Sequence, residues 1–566
     1  MHLLLRWGGR LAAIAALTAP PLAAQRVTPA TYAITNARIV PVAGPAIEKG
    51  TIVIRDGLIA AVGAAVTVPA DARTIDGSGH TVYPGLIDGY STLGLRAAAA
   101  PAGGGGFGGF GAPAPTRPAG APNSNAPIGL QPEIRAIDQV IDNTDFATAH
   151  AAGFAAALTA PQGRIYEGQS ALITLKTDDF GAVAVRPTVA LQIGFQGLGG
   201  GTYPGSLMGV FAALRQSLLD AQHYRDQQAA YAKAPRTMAR PAYDPSLDAL
   251  QPVIAGTMPV IFRVSTQREI ERALDLAKEF KLKAMIGGGS EAFRVADRLK
   301  TEGVPVLLSM SFPRRTAAPA ADAEPEPLRL LRERVQAPKT PGELQKAGVR
   351  IALQAGGNYT DFLANLRRAV AGGLSADDAV RAATLTTAEL FGVADRLGSI
   401  EVGKIANLTV VRGADLLAAD ARVTAVWVDG RPNTVAPPTA IAGARGPGAR
   451  PGLEGAWQMQ VELDGVERVV ALALREEDGR LRGAITGDLG AADVSDVLVE
   501  ANGDIAFVAV VTTTEGTEEA WFRGTLTRGV FAGRVEIVGH ATGKFAGLRQ
   551  NTGSTTDRTR ERQEER

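Results

Sequence analysis

Pro259-Val-Ile-Phe-Arg-Val-Ser265 runs directly into Thr266-Gln-Arg-Glu269. The first seven residues form a β-branched, apolar run of strand length. The Thr-x-x-Glu spacing that follows is a capping box, in which a carboxylate three residues into a helix satisfies a backbone N–H that has no partner within the helix. It predicts a helix through Phe280. Downstream, the strand-like Lys283-Ala-Met-Ile286 and Val304-Pro-Val-Leu-Leu-Ser309 flank a helical stretch around residues 291–299. Val349-Arg-Ile-Ala-Leu-Gln354 then precedes helical periodicity near residues 359–370 and 375–390. Upstream, Leu207, Val210, Phe211, Leu214 and Leu218 share one helical face, followed by the polar stretch 222–228. Repeated strand–helix units of this length imply a parallel sheet with helices outside it, either closed as a barrel or left open.

The flanks read differently. From Tyr32 to Val68, short β-rich runs alternate with turns, and Asp56-Gly57 between two of them favours a type I′ hairpin because glycine accepts positive φ. After Gly398 the β pattern returns in Ala406-Asn-Leu-Thr-Val-Val411 and in Val423-Thr-Ala-Val-Trp-Val428, ahead of Asp429-Gly430. These strands are expected to complete the first β unit, making a discontinuous β-sandwich of residues 30–80 and 397–431 around a barrel of residues 81–396. Residues 97–127 are dominated by Gly, Ala and Pro and read as an insertion over the barrel mouth. A Pro/Ala/Gly linker is expected at 432–451. Residues 452–549 alternate apolar and polar positions between the turn pairs Asp464-Gly465, Asp478-Gly479 and Asn502-Gly503, which predicts a small antiparallel barrel. The polar tail 550–566 is expected to be disordered.

Composition narrows function. The 566 residues carry a net charge of +1, so no global field attracts nucleic acid or an anionic membrane. Arg6 and Arg10, the apolar run from Leu11 to Leu17, the pair Pro20-Pro21 and then Ala23-Ala24 read as a secretory leader of residues 1–24. Its removal takes away two arginines and leaves a mature charge of −1. No later stretch is long and apolar enough to span a bilayer, so a secreted or periplasmic protein is expected. There is no cysteine, which excludes disulfides, thiolate ligands and thiol nucleophiles.

Two segments carry a family resemblance. Thr81-Val-Tyr-Pro-Gly-Leu-Ile-Asp88 resembles the first barrel strand of the metal-dependent amidohydrolases of the imidazolonepropionase-like branch. Leu397-Gly-Ser-Ile-Glu-Val-Gly-Lys-Ile-Ala-Asn-Leu-Thr-Val-Val411 resembles the return into that family's small β-sandwich. Arg38-Ile-Val-Pro-Val42 and Ile52-Val-Ile-Arg-Asp-Gly-Leu-Ile-Ala-Ala-Val-Gly63 match its opening strands. The resemblance spans Tyr32 to Arg431 and implies a (β/α)8 barrel, zinc or another divalent metal as cofactor, and hydrolysis of non-peptide C–N bonds in cyclic or linear amides. It also implies a His-x-His after the first strand, further histidines on later strands and a late aspartate. Here those positions hold Gly89, Tyr90 and Ser91, then Arg263, Gly288 and Gly356.

A count of residues agrees with that reading. Of five histidines, only His150 and His223 fall in the barrel segment, and both lie in helix-like sequence, where a surface or satisfied core histidine is the plainer reading. A hydrolytic metal needs several N or O ligands converging on one point. Carboxylates could hold a hard cation instead. Asp88, Glu167, Glu291 and Asp361 lie nearest the expected strand ends, although Glu291 and Asp361 also suit helix starts. Glu167 sits in Arg164-Ile-Tyr-Glu-Gly-Gln-Ser170, which resembles a Gly-Gln loop of the family. Asp88, Tyr90, Glu167, Gln169, Arg263 and Asp361 are therefore the candidate pocket. Gly194 to Gly201 lacks the Gly-Lys-Ser/Thr of a phosphate loop, and Ser206 and Ser309 lack a nucleophile elbow. The expected protein has no metal centre or other cofactor and binds a small molecule or an active amidohydrolase relative, with room for oligomerisation. The alternatives are a hydrolase with a rearranged carboxylate site using Glu167, Asp88 or Arg263, and a carrier that holds a small ligand inside the terminal barrel.

Overall fold

The structure, a computed structural model, describes residues 31–96, 129–141, 146–177, 183–198, 202–313, 327–418, 421–435, 455–463, 466–477, 480–499, 504–513, 516–527, 530–537 and 541–549. The leader, the Gly-rich insertion, the tail and the three turn pairs of the terminal region lie outside these residues.

The chain opens with β1 (Thr31–Ile39), β2 (Ile47–Arg55), β3 (Leu58–Gly63), β4 (Arg73–Asp76) and β5 (His80–Pro84). Asp56 and Gly57 have φ of 50° and 81°, the two positive values that a type I′ turn requires, so β2 and β3 form the expected hairpin. Beyond the barrel come β14 (Leu408–Arg412), β15 (Arg422–Val428) and β16 (Arg431–Thr434). β14 lies antiparallel to β5, from Leu408 opposite Pro84 to Arg412 opposite His80, so strands from both ends of the barrel share one eight-stranded sheet. Tyr32 meets Trp427 edge-on at 5.1 Å in their common core, which ties the first strand to the last ones. β16 carries Pro432 past the start of the expected linker. It can do so because it is an edge strand, where the missing N–H breaks no ladder.

The middle of the chain supplies β6 (Leu86–Ser91), β7 (Phe154–Thr159), β8 (Tyr166–Thr174), β9 (Ala184–Gly194), β10 (Val260–Val264), β11 (Ala284–Gly288), β12 (Val306–Ser309) and β13 (Ile351–Gln354). They follow one another around a nearly closed ring. The helix Gln267–Phe280 buries Ile270, Ala273, Leu274, Ala277 and Phe280 in the same core as Val260, Phe262 and Val264. The ring departs from the expected (β/α)8 pattern at β8, which runs antiparallel to both β7 and β9. Only residues 160–165 separate β7 from β8, and residues 175–183 separate β8 from β9. A parallel neighbour needs a crossover of roughly a dozen residues or more, so neither connection can supply one. The segment around Glu167 is accordingly strand rather than loop, and every residue of β8 is buried.

The helical expectations differ in detail. Residues 207–233 form a single helix, the stretch 291–299 divides into a 3-10 turn (Ala292–Val295) and a short helix (Ala296–Glu302), and 375–390 breaks at Thr384 into two helices.

Eight further strands, β17 (Gly455–Leu463), β18 (Val466–Glu477), β19 (Arg480–Gly487), β20 (Gly490–Val499), β21 (Asp504–Thr513), β22 (Gly516–Thr527), β23 (Val530–Ile537) and β24 (Ala541–Arg549), close into an antiparallel barrel. Every second residue of β17, namely Trp457, Met459, Val461 and Leu463, points inward and is buried. Phe507 stacks on Phe522 at 4.8 Å, Phe531 meets Phe545 at 4.7 Å, and Trp457 meets Phe531 at 6.4 Å. These aromatic side chains belong to one buried core inside the barrel.

Candidate functional site

Three strand ends bring Tyr90, Glu167 and Arg263 together. Arg263 leaves β10, and its guanidinium Nη1 donates to both carboxylate oxygens of Glu167 on β8, at 3.1 and 2.9 Å. The same guanidinium lies over the Tyr90 ring of β6, 4.4 Å from its centroid. The Glu167 side chain is 4% exposed and that of Arg263 is 38% exposed, so the carboxylate is enclosed while its cation keeps a face toward solvent. Burial pushes the Glu167 carboxyl above its ordinary range, and Arg263 pulls it part of the way back. Gly194 makes room for this pair, since a Cβ there would stand 3.0 Å from Glu167 Oε1 and 2.8 Å from the Arg164 carbonyl oxygen.

Asp88 is placed differently. Its Oδ1 accepts from the backbone N–H groups of Ala355, at 3.0 Å, and Tyr90, at 3.2 Å, while Oδ2 accepts from the Tyr359 hydroxyl at 2.6 Å. Burial raises the Asp88 carboxyl to about 6, with these three hydrogen bonds opposing the shift. It bridges β6 to the end of β13 and so fastens the barrel seam. Gly89 shares that seam: a Cβ on it would stand 2.8 Å from the Leu353 carbonyl oxygen, a distance that backbone does not tolerate. Ser91 turns its hydroxyl to the Leu93 N–H at 3.3 Å. Of the three residues at the expected His-x-His, Tyr90 is therefore the one that faces Arg263, while Gly89 and Ser91, which were read as the ligand positions, serve the seam and the following turn.

The remaining candidates stand apart from this cluster. Gln169 donates through Nε2 to the Pro132 carbonyl at 3.1 Å, pinning the segment 129–141 onto β8. Asp361 adjoins the helix Phe362–Ala371 and accepts from Asn358 at 2.6 Å. Glu291 accepts from the Gln267 N–H at 2.8 Å, at the start of the neighbouring helix. His150 is buried with Nε2 2.8 Å from the Leu175 carbonyl, and His223 is exposed beside Gln227, so neither reaches the strand ends. Tyr359 was missed in the sequence, because nothing in a loop of Gly, Asn and Tyr announces a partner 271 residues away.

The donors present do not suit a divalent metal. Among the described residues, no group of three or more His, Asp or Glu side chains is placed to hold one. Gly288 and Gly356 have no side chain to offer, and both adopt positive φ, 101° and 63°. Beside Glu167 the cationic group is a guanidinium, which would repel a second cation.

Residues 329–435 match the amidohydrolase family. That segment runs from the helices before β13 to the end of β16. The same fold occurs in an amidohydrolase from Thermotoga maritima MSB8, with a TM-score of 0.57 and 21% identity over 71% of this chain and 99% of that one. A prolidase complexed with N-methylphosphonate-L-proline matches at a TM-score of 0.44 and 19% identity, over 71% of this chain and 99% of its own. A beta-aspartyl dipeptidase from Fervidobacterium islandicum AW-1 matches at 0.38 and 12%, over 72% and 97%. No curated protein sequence matches the chain.

Proposed function

We propose that this is a non-catalytic member of the amidohydrolase fold, exported through its leader and acting by binding a small molecule or by assembling with an active relative. The observation that supports this reading is the Arg263 guanidinium paired with the buried Glu167 carboxylate at the strand ends. Hydrolysis in this fold rests on a metal-bound water that is acidic enough to supply hydroxide at neutral pH. A guanidinium cannot do that, because it has no open coordination position and gives up no proton in this range. A rearranged carboxylate site also lacks a free base, since Asp88 spends both oxygens on Ala355, Tyr90 and Tyr359 and Glu167 spends both on Arg263.

The test is metal content together with turnover. The purified mature chain is incubated with zinc, manganese or cobalt, desalted and analysed by plasma mass spectrometry, then assayed on dipeptides, cyclic imides and aryl amides. The expected result is far less than one metal per chain and no hydrolysis that a chelator abolishes. One tightly held metal per chain with chelator-sensitive amide cleavage overturns the proposal.

A further inference from the structure

Away from the barrel mouth, a cleft of about 950 Å³ opens where three parts of the chain meet: the helix Phe362–Ala371, the β14–β15 pair and the β22–β23 face of the terminal barrel. Its size suits a drug-sized ligand. Leu363, Ala364, Val423, Val435 and Val535 give it apolar walls, and Trp521 stands at its edge.

Its charge is lopsided. Arg367, Arg412, Arg422, Arg523 and Arg534 line it, with Glu536 as the one carboxylate among the described lining residues. Arg412 lies directly opposite Arg422 across β14 and β15, and Arg523 lies directly opposite Arg534 across β22 and β23. Like charges in such register destabilise a sheet, yet two separate sheets carry the arrangement and both turn it toward the same space. Arg422 and Arg523 also approach one indole, with guanidinium carbons 5.6 and 5.8 Å from the Trp521 ring. A net charge of only +1 for the whole chain makes this a local feature rather than part of a basic surface.

We infer that this cleft binds a small amphipathic anion, with a phosphate or carboxylate head held among Arg412, Arg422, Arg523 and Arg534 and an apolar body lying against Trp521 and the valine and leucine wall. An oxyanion placed between facing guanidiniums accepts charge-assisted hydrogen bonds from both. Desolvating the apolar body adds the non-directional part of the binding. The lining does not include Tyr90, Glu167 or Arg263, so the inference stands whether or not the mouth turns over an amide.

The test uses the full mature chain with dodecyl phosphate and dodecanoate below their micellar concentrations, followed by calorimetry and tryptophan fluorescence. Trp427 and Trp457 are buried, so Trp521 is the responsive reporter. Saturable binding near one per chain is expected for at least one of the two probes, and the stronger probe identifies the head group. Arg412→Gln combined with Arg534→Gln should weaken binding about tenfold or more. Trp521→Phe should remove the fluorescence response while a heat of binding persists. Dodecyltrimethylammonium and inorganic phosphate should bind far more weakly than the better probe. No saturable binding of either anion, equal affinity in the double variant, or equal affinity for the cationic detergent or for inorganic phosphate would overturn the inference.

Discussion

Replacing Arg263 by glutamine removes the cation from the strand-end pair and leaves Glu167 enclosed. At 2.9 Å and an effective dielectric near 20, the attraction between the two charges is about 6 kcal/mol before any solvation is counted. The guanidinium is 38% exposed, so water already screens part of that attraction. The net loss should therefore fall below the roughly 3–5 kcal/mol seen when fully buried pairs are broken, at about 1–3 kcal/mol at pH 8. The loss should also depend on pH. Burial already raises the Glu167 carboxyl, and without Arg263 it rises further, so the folded variant holds a proton that the unfolded chain releases. Stability conferred by that proton is present in acid and lost as pH rises through the raised value. The gap between parent and variant should thus be small near pH 5 and widest at pH 8. Urea unfolding of the parent, Arg263→Gln, Glu167→Gln and the double variant measures this. Glu167→Gln should lose less than Arg263→Gln, because it strands only a partly solvated cation, and adding it to Arg263→Gln should recover much of the deficit. A gap that is the same at both pH values, or a double variant no better than Arg263→Gln, would show that the pair is not what neutralises the strand ends.

Three further outcomes follow from the same geometry. Asp88, raised to about 6 from an ordinary value of 3.8, should make stability fall as pH rises between those values; Asp88→Asn should flatten that slope in denaturation measured from pH 4 to 7. Gly89→Ala places a methyl group against the Leu353 carbonyl and should destabilise the barrel by about 1–3 kcal/mol in chemical denaturation, whereas an unchanged midpoint would mean that the seam is looser than described. Phe522→Ala, at the aromatic centre of the terminal barrel, should remove about 3–5 kcal/mol from that barrel's unfolding transition, read by fluorescence of Trp457.

Much of the fold was legible because each element states its own period. The capping box at Thr266 and Glu269, the Asp56-Gly57 turn and the alternation along β17 are local signals, and each appears where it was expected. What stayed hidden depends on distance along the chain. The reversal of β8 could have been inferred from its short flanking connections, but its continuously buried residues carry no alternation to mark a direction. Glu167 and Arg263 were both legible as candidates, yet their pairing across 96 residues was not. Gln169 and Asp361 looked equally polar in sequence, and only their partners, the Pro132 carbonyl and Asn358, show that they hold loops in place.

How the barrel holds its shape apart from the residues at its mouth follows from how its strands divide their residues. Val260, Phe262 and Val264 alternate toward the helix layer, while Ile261 belongs to a second core with Met285, Leu307 and Ala352. Arg263 lies between Phe262 and Val264 of the first core, and Gly288 and Gly356 follow Ile286 and Ala355 of the same core. The Arg263 side chain leaves both cores for Glu167 and Tyr90, so replacing it spares their packing, whereas replacing Ile261 or Phe262 would not. The seam is the exception, because Asp88 and Gly89 are structural residues set beside the mouth. A change at Arg263 upsets the charge balance of the mouth and a change at the seam upsets packing. Arg263→Gln and Gly89→Ala separate the two: the first should give a deficit that grows with pH, and the second a deficit that does not.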